Sequence, residues 1–259
     1  MPELASRYRY GTIVGDALDV TNGCETWEAE LIGPASGSRE MSVTLSQLTE
    51  PAERVVASAG ERSLFVLDGA VQLTASERTV SLRRGAYALT QEGERYALRP
   101  LGAAPARIVT MHAIRRAGTG TDQGDLQARV AHGEFSEAML MPSSTHAADG
   151  YTPDELPGVS LAWLVDAALG ARKQTLFIVR YEPGGSMAPH RHPYEEFYLV
   201  LDGEVQATAD GETRRLGPGD YLWAAIGCIH AFTNDRGTPV SWLETQAPQP
   251  PRERPVEFV

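Results

Sequence analysis

Several common routes to function are missing from this sequence. Cysteine occurs twice, as Cys24 and Cys228. Two distant thiols do not build a disulfide scaffold, and they suit a reducing compartment. The opening stretch MPELASRYRYGT has no charged segment followed by an apolar one, so no export signal is expected and the expected location is the cytoplasm. Lysine occurs once, as Lys173, so Schiff-base chemistry would have to fall on that residue. No apolar run approaches the ~18 residues of a membrane span. The nucleophile and phosphate motifs GxSxG, CxxC and GxxxxGK(S/T) are absent. The glycine-rich AGTGTDQG (117–124) has no lysine and no following helix, and reads as linker. A net charge of −11 and a pI near 5.0 repel phosphate backbones, and no helix-turn-helix segment is evident. Neither a nucleic-acid partner nor a membrane is expected.

What is there begins with a repeat. VLDGAVQLTASERTVSLRRGAY (66–87) aligns without gaps on VLDGEVQATADGETRRLGPGDY (200–221), at an offset of 134 positions. Asp68/Asp202, Gly69/Gly203, Gly85/Gly219 and Tyr87/Tyr221 are among the identical pairs. A period this long means two copies of a domain rather than a solenoid. QTLFIVRYEP (174–183), EEFYLVLDG (195–203) and YLWAAI (221–226) are short runs of β-branched and aromatic residues bounded by Gly, Pro and Asp. Asp-Gly at 68–69, 202–203 and 210–211 supplies left-handed turn residues. The expected fold is all-β, with each copy a sandwich or small barrel. We place a first domain at 1–116, a linker at 117–155 and a second domain at 156–259. EAMLM (137–141) is the one strand expected in the linker, a helical turn is expected at Thr152–Glu155, and the proline-rich tail is expected to run extended along the surface.

The chemistry concentrates in PHRHPYEEFYLVLDG (189–203) and GCIHAFTN (227–234). Strand alternation puts His190, His192, Glu196 and Tyr198 on one face and Glu195, Phe197 and Leu199 on the other. Two imidazoles and a carboxylate turned into a barrel form a ligand set for a borderline divalent ion, and His230 can complete it. A buried glutamate also needs a cation or another partner to offset its desolvation. An HxH pair alone, beside Pro193, would more often be a surface loop. Cys228 lies near His230 but is not needed as a ligand. His112, His132 and His146 fall outside any ligand pattern and read as surface or linker residues.

The two stretches resemble the motifs of the cupin superfamily. The first is matched by Gly184, His190, His192, Glu196 and Gly203 at every spacing. The second is matched by Gly219, Gly227, His230 and Asn234, with Ala225 where proline is usual. The resemblance implies two tandem cupin barrels of the double-stranded β-helix or jelly-roll type. It also implies one divalent metal ion, Mn, Fe, Ni or Zn, on His190, His192, Glu196 and His230 of the second barrel. In the first copy the ligand positions become Val56, Ser58, Arg62 and Tyr96, so no metal is expected there. That copy reads as a structural and dimerising partner, with Arg62 and Tyr96 leaving room for an anionic ligand. The overall architecture is similar to the (S)-ureidoglycine aminohydrolase family, although that family typically has Glu, His and Gln at the positions of His190, Glu196 and His230.

Four protein ligands leave open positions at which a small polar, carboxylate-bearing substrate could chelate. Tyr198, Trp223, Phe232 and Trp242 are candidate walls of the substrate pocket, with Glu244 as a polar contact. Arg180 alternates with inward residues and reads as solvated, and Asn234 reads as a turn residue. The resemblance implies hydrolase, lyase or isomerase chemistry. An iron-dependent dioxygenase or a non-catalytic small-molecule binder would suit the same ligands. Association into a homodimer or larger homo-oligomer is expected by resemblance.

Overall fold

The computed structural model describes residues 7–13, 26–57, 60–75, 78–114, 131–142, 156–249 and 256–259. Cys24, Ser58, His146, the AGTGTDQG stretch and the expected turn at Thr152–Glu155 lie outside them. The described residues form strands and short 3-10 turns, arranged as two barrels of two sheets each. None of their helices is long and apolar enough to cross a membrane.

The repeat of the sequence is a repeat of structure. Strands Arg62–Asp68, Ala70–Ala75, Arg78–Arg83 and Ala86–Thr90 recur as Glu195–Asp202, Val205–Ala209, Glu212–Leu216 and Asp220–Ala224. Gly69 and Gly203 turn at φ of 70° and 76°, and a Cβ on either would overlap a carbonyl, of Pro105 or Pro239. The identical Asp-Gly pairs therefore mark positions where only glycine fits.

Each barrel has its own apolar interior, and a third apolar layer joins them. In Val205–Ala209 burial alternates along the strand, one face inward and one to water. Glu195–Val200 is buried throughout because both of its faces are covered. Glu196, Tyr198 and Val200 face the interior, while Phe197 and Leu199 join Leu45, Phe65 and Met111 of the other barrel.

Two buried carboxylates clasp this junction. Glu195 accepts hydrogen bonds from Arg39 N (2.8 Å) and Ser38 Oγ (2.5 Å). Glu61, at the matching position of the first copy, accepts from the backbone of Arg172 (2.7 Å), Lys173 (3.0 Å) and Gln174 (3.1 Å). Each barrel thus lends one carboxylate to a loop of the other. Alignment of GERSLF (60–65) with YEEFYL (194–199) contains this pair, one turn of the repeat before its clearest stretch.

The barrels also exchange edge strands. Tyr8–Thr12, within the stretch assigned to the first domain, pairs with Asp220–Ala224 of the second barrel. Ala131–Glu134, within the expected linker, pairs with Ala86–Thr90 of the first. Gly11 lies under Tyr221 and Gly133 under Tyr87, where a Cβ would overlap the tyrosine side chain. The expected EAMLM strand is instead a 3-10 turn at Glu137–Met139 followed by Met141–Pro142 on the second barrel.

Candidate metal centre

The HxH pair and the glutamate do not share one strand, as simple alternation had suggested. His190 ends the strand Ser186–Arg191 in the five-stranded sheet, and Glu196 belongs to Glu195–Asp202 in the seven-stranded sheet. The chain crosses between sheets at His192–Tyr194, where Pro193 has no N–H to continue a ladder. The crossing still turns all three side chains inward. His230 enters from the neighbouring strand, directly opposite His190.

Each imidazole is oriented by its own backbone. Nδ1 of His190 donates to the Ala188 carbonyl (2.9 Å), that of His192 to Tyr194 (2.9 Å) and that of His230 to Cys228 (3.0 Å). A carbonyl only accepts, so each Nδ1 carries the proton and each Nε2 presents a lone pair to the interior. Tyr194 also stacks on the His192 ring at 3.9 Å. Metal-binding histidines are commonly held this way.

The lone pairs converge on Glu196. Its Oε2 lies 2.7 Å from His192 Nε2 and 3.1 Å from His230 Nε2, and the two nitrogens are 3.3 Å apart. One donor atom from each of His190, His192, Glu196 and His230 falls within 4.8 Å of all the others, and all four residues are buried. Ligands held ~2.1 Å from an ion at right angles are ~3 Å apart, the scale of these separations. Acceptors facing acceptors in a dry interior demand a proton or a cation between them. Burial opposes ionisation of Glu196; His192 and His230 hold its carboxyl below the usual range only when their Nε2 atoms carry protons, the place a bound cation would take. Burial and the neighbouring His230 depress His190 to about 3, which keeps it neutral and able to ligate. This is the one such group among the described residues.

Tyr198 is more than a wall. Its hydroxyl touches Glu196 Oε2 and lies 2.9 Å from His230 Nε2, adding a second oxygen to the cluster. Burial, Glu196 and Glu244 hold the phenol well above its ordinary range. Phe232 packs on Tyr198 (4.7 Å between centroids) and on Trp242 (5.3 Å). Trp242 Nε1 donates to Glu244 (2.9 Å), whose carboxyl is pushed up by burial and by the charge of Glu196. Gln246 Nε2 donates to Glu196 Oε1 at 2.8 Å, fixing the carboxylate from the side away from the histidines. Gln246 is a contact of the cluster that residue type alone did not reveal.

Other expected residues lie elsewhere. Trp223 does not line the pocket: it alternates with the inward Leu222 and Ala224 and packs in the layer between the barrels. His112 is no surface residue, since its Nε2 is buried inside the first barrel. Arg180 pairs with Glu137 and Glu182, and Asn234 ties its turn to Tyr181 and Thr238. Cys228 is a buried free thiol pushed up to about 12 by burial; its carbonyl holds His230, while its Sγ faces the Ile229 carbonyl. The tail returns to the site: Glu257–Phe258 pairs with His190 and Arg191, bringing the Phe258 ring to 6.0 Å from His190.

The cupin domain family matches residues 177–245, which contain Glu196 and His230 and the strands around them. A cupin 2 conserved barrel domain protein from Leptotrichia buccalis superposes with a TM-score of 0.62 at 13% identity, over 88% of this chain and 92% of that one. Residues 177–245 are a cupin domain by the family match, and the fold of the chain is that of cupin barrels. The cupin fold extends over both barrels, as in an oxalate decarboxylase from Lactobacillus farciminis (TM-score 0.62, 14% identity, 92% and 85% of the two chains). A local match joins this chain to the dimethylsulfoniopropionate lyase DddQ of Ruegeria pomeroyi, 46% identical over 61 residues. That match covers 22% of this chain and spans 30% of the lyase.

Proposed function

We propose that the second barrel is a metal-dependent active site for a small, polar, carboxylate-bearing metabolite, and that its reaction is an elimination. His190, His192, Glu196 and His230 would hold one divalent ion, of Mn, Fe, Ni or Zn. When bound, that ion supplies Lewis acidity to a substrate carboxylate beside it. The observation that carries the reading is the Tyr198 hydroxyl, which is buried among the ligand atoms rather than along the wall.

Tyr198 is the proton carrier. An elimination needs a base at the carbon next to the substrate carboxylate. The C–H electron pair becomes the new C=C bond, the leaving group departs with its own bonding pair, and the proton goes to the Tyr198 oxygen. Burial and the charge of Glu196 keep the phenol protonated, so Tyr198 would take that proton only as a phenolate, after releasing its own to solvent; a cation held by the four ligands would favour that form. Glu244, held neutral, is placed to donate a hydrogen bond to a substrate carboxylate. Phe232, Trp242 and Tyr181 close the interior against water. The local similarity to a lyase whose named substrate is a sulfoniopropionate supports elimination over hydrolysis.

The test is an assay of the metal-loaded protein with dimethylsulfoniopropionate and other β-substituted propionates, following the unsaturated acid by NMR. Tyr198→Phe should lower kcat ~10²- to 10⁴-fold while metal content is retained. Full activity in that variant would remove Tyr198 from the reaction. The same preparations report ammonia release from ureidoglycine and oxygen uptake, which hydrolytic deamination and an iron dioxygenase would respectively give.

A further inference from the structure

The interior of the first barrel occupies the position that the ligand cluster takes in the second, but its polar groups are of opposite character. By the offset of the repeat, Arg62 stands where Glu196 does, Tyr96 where His230 does, Thr110 where Glu244 does and His112 where Gln246 does. The strand register agrees, with Arg62 directly opposite both Thr90 and His112. Thr110 follows His112 on the same face of its strand. From the facing sheet, the Tyr96 hydroxyl reaches the Arg62 guanidinium.

Four buried polar atoms in this layer have no hydrogen-bond partner: Arg62 Nε, Thr90 Oγ1, Thr110 Oγ1 and His112 Nε2. Thr90 is 1% exposed and Thr110 2%. Buried groups of this kind are nearly always paired, and each left alone destabilises the fold. Among the described residues only Gln174 Nε2 and Trp223 Nε1 share this state, and neither belongs to this layer. Four neighbours in one barrel interior call for a common partner. The charges define it. Arg54 is ion-paired with Glu28, whereas no ion pair of Arg62 occurs among the described residues. His112 is neutral, depressed to about 4 by burial and by the charge of Arg62. One uncompensated positive charge is therefore ringed by hydroxyls and a neutral imidazole.

We propose that the first barrel binds a small monocarboxylate, held by Arg62 together with Tyr96, Thr90, Thr110 and His112. The guanidinium offers paired N–H donors to the two carboxylate oxygens, and the threonine hydroxyls and the imidazole Nε2 complete the shell. A metal ion is repelled by Arg62, and a phosphate dianion would leave a negative charge buried and unpaired. This site is independent of the reaction proposed for the second barrel.

The test is titration calorimetry of the full chain with acetate, on the wild type, on Arg62→Leu, Thr110→Val and His192→Ala, and on Arg62→Leu combined with His192→Ala. The wild type and His192→Ala should bind acetate saturably, and Arg62→Leu added to His192→Ala should not. Thr110→Val should bind at least tenfold more weakly, with no loss of Tm in acetate-free buffer, because its methyl replaces a hydroxyl that had no partner. A hydroxyl with a purely structural role would lower Tm in that variant. Absence of saturable acetate binding in the wild type overturns the proposal, as does unchanged affinity in Thr110→Val. Binding lost in His192→Ala but kept in Arg62→Leu would assign the acetate to the metal centre and overturn it equally. Should Arg62→Leu fail to fold, Thr110→Val decides alone.

Discussion

His190, His192 and His230 each spend their Nδ1 proton on a backbone carbonyl two residues away. That local bond fixes the tautomer and turns each Nε2 inward, and the cluster itself was legible from spacing: HxH, then Glu196, then a histidine after the next hairpin. The direction of a hydroxyl is not written in spacing. Tyr198 read as an aromatic wall because nothing in its type says that its oxygen reaches Glu196. Trp223 read as a wall for a related reason, since alternation assigns it a face only once the pairing of its strand is known. His112 read as a surface residue because its partner across the sheet, Arg62, is fifty positions away. Its burial carries a pH dependence. A histidine held at about 4 when folded, against an ordinary value near 6.5, takes up its proton first in the unfolded chain. The stability it contributes is complete above ~6.5 and is lost as pH falls towards 4. Tm measured from pH 7.5 to 4.5 should therefore fall less steeply in His112→Asn than in the wild type, and parallel curves would contradict the assignment.

At the scale of elements, the hairpins were legible from Asp-Gly turns and alternation, and their repetition from the offset of the copies. The exchanged strands were not. Tyr8–Thr12 and Ala131–Glu134 are short edge strands whose place is set by a glycine lying under a tyrosine of the other segment. Such a contact has no local pattern. The carboxylate clasp was half legible, because Glu195 was placed on the outward face without the loop that receives it. Glu61→Ala would take the acceptor from three backbone N–H groups of residues 172–174, of which that of Gln174 is buried, at ~1–3 kcal/mol for the buried one and less for the other two. Thermal unfolding should show that variant strongly destabilised, and Glu195→Ala destabilised through the 38–39 loop. A Tm within a degree of wild type in both would mean that the clasp is ornamental.

For the whole molecule, the two barrels act as one folding unit rather than as beads on a linker. Their outer sheets share an apolar layer with Leu31, Phe65 and Met111 on one side and Phe197, Leu199 and Trp223 on the other. Each barrel also borrows an edge strand from a segment outside its own stretch. Residues 117–259 produced alone should expose that layer and lose the cover of Tyr221, giving aggregated protein that co-production with residues 1–116 rescues. A soluble, monomeric second half with the Tm of the full chain would contradict this. The arrangement also gives the two copies different interiors. One interior gathers three imidazoles and a carboxylate, and the other gathers an arginine, a neutral histidine and unpaired hydroxyls.

The central claim is that His190, His192, Glu196 and His230 together grip one divalent ion. Elemental analysis of the purified full chain, beside His192→Ala and Glu196→Ala, tests it most directly. The account predicts about one equivalent of a transition metal in the wild type, and near-complete loss in both variants with the fold retained. A wild type that takes up no metal on loading, or variants that keep as much as the wild type, would contradict it.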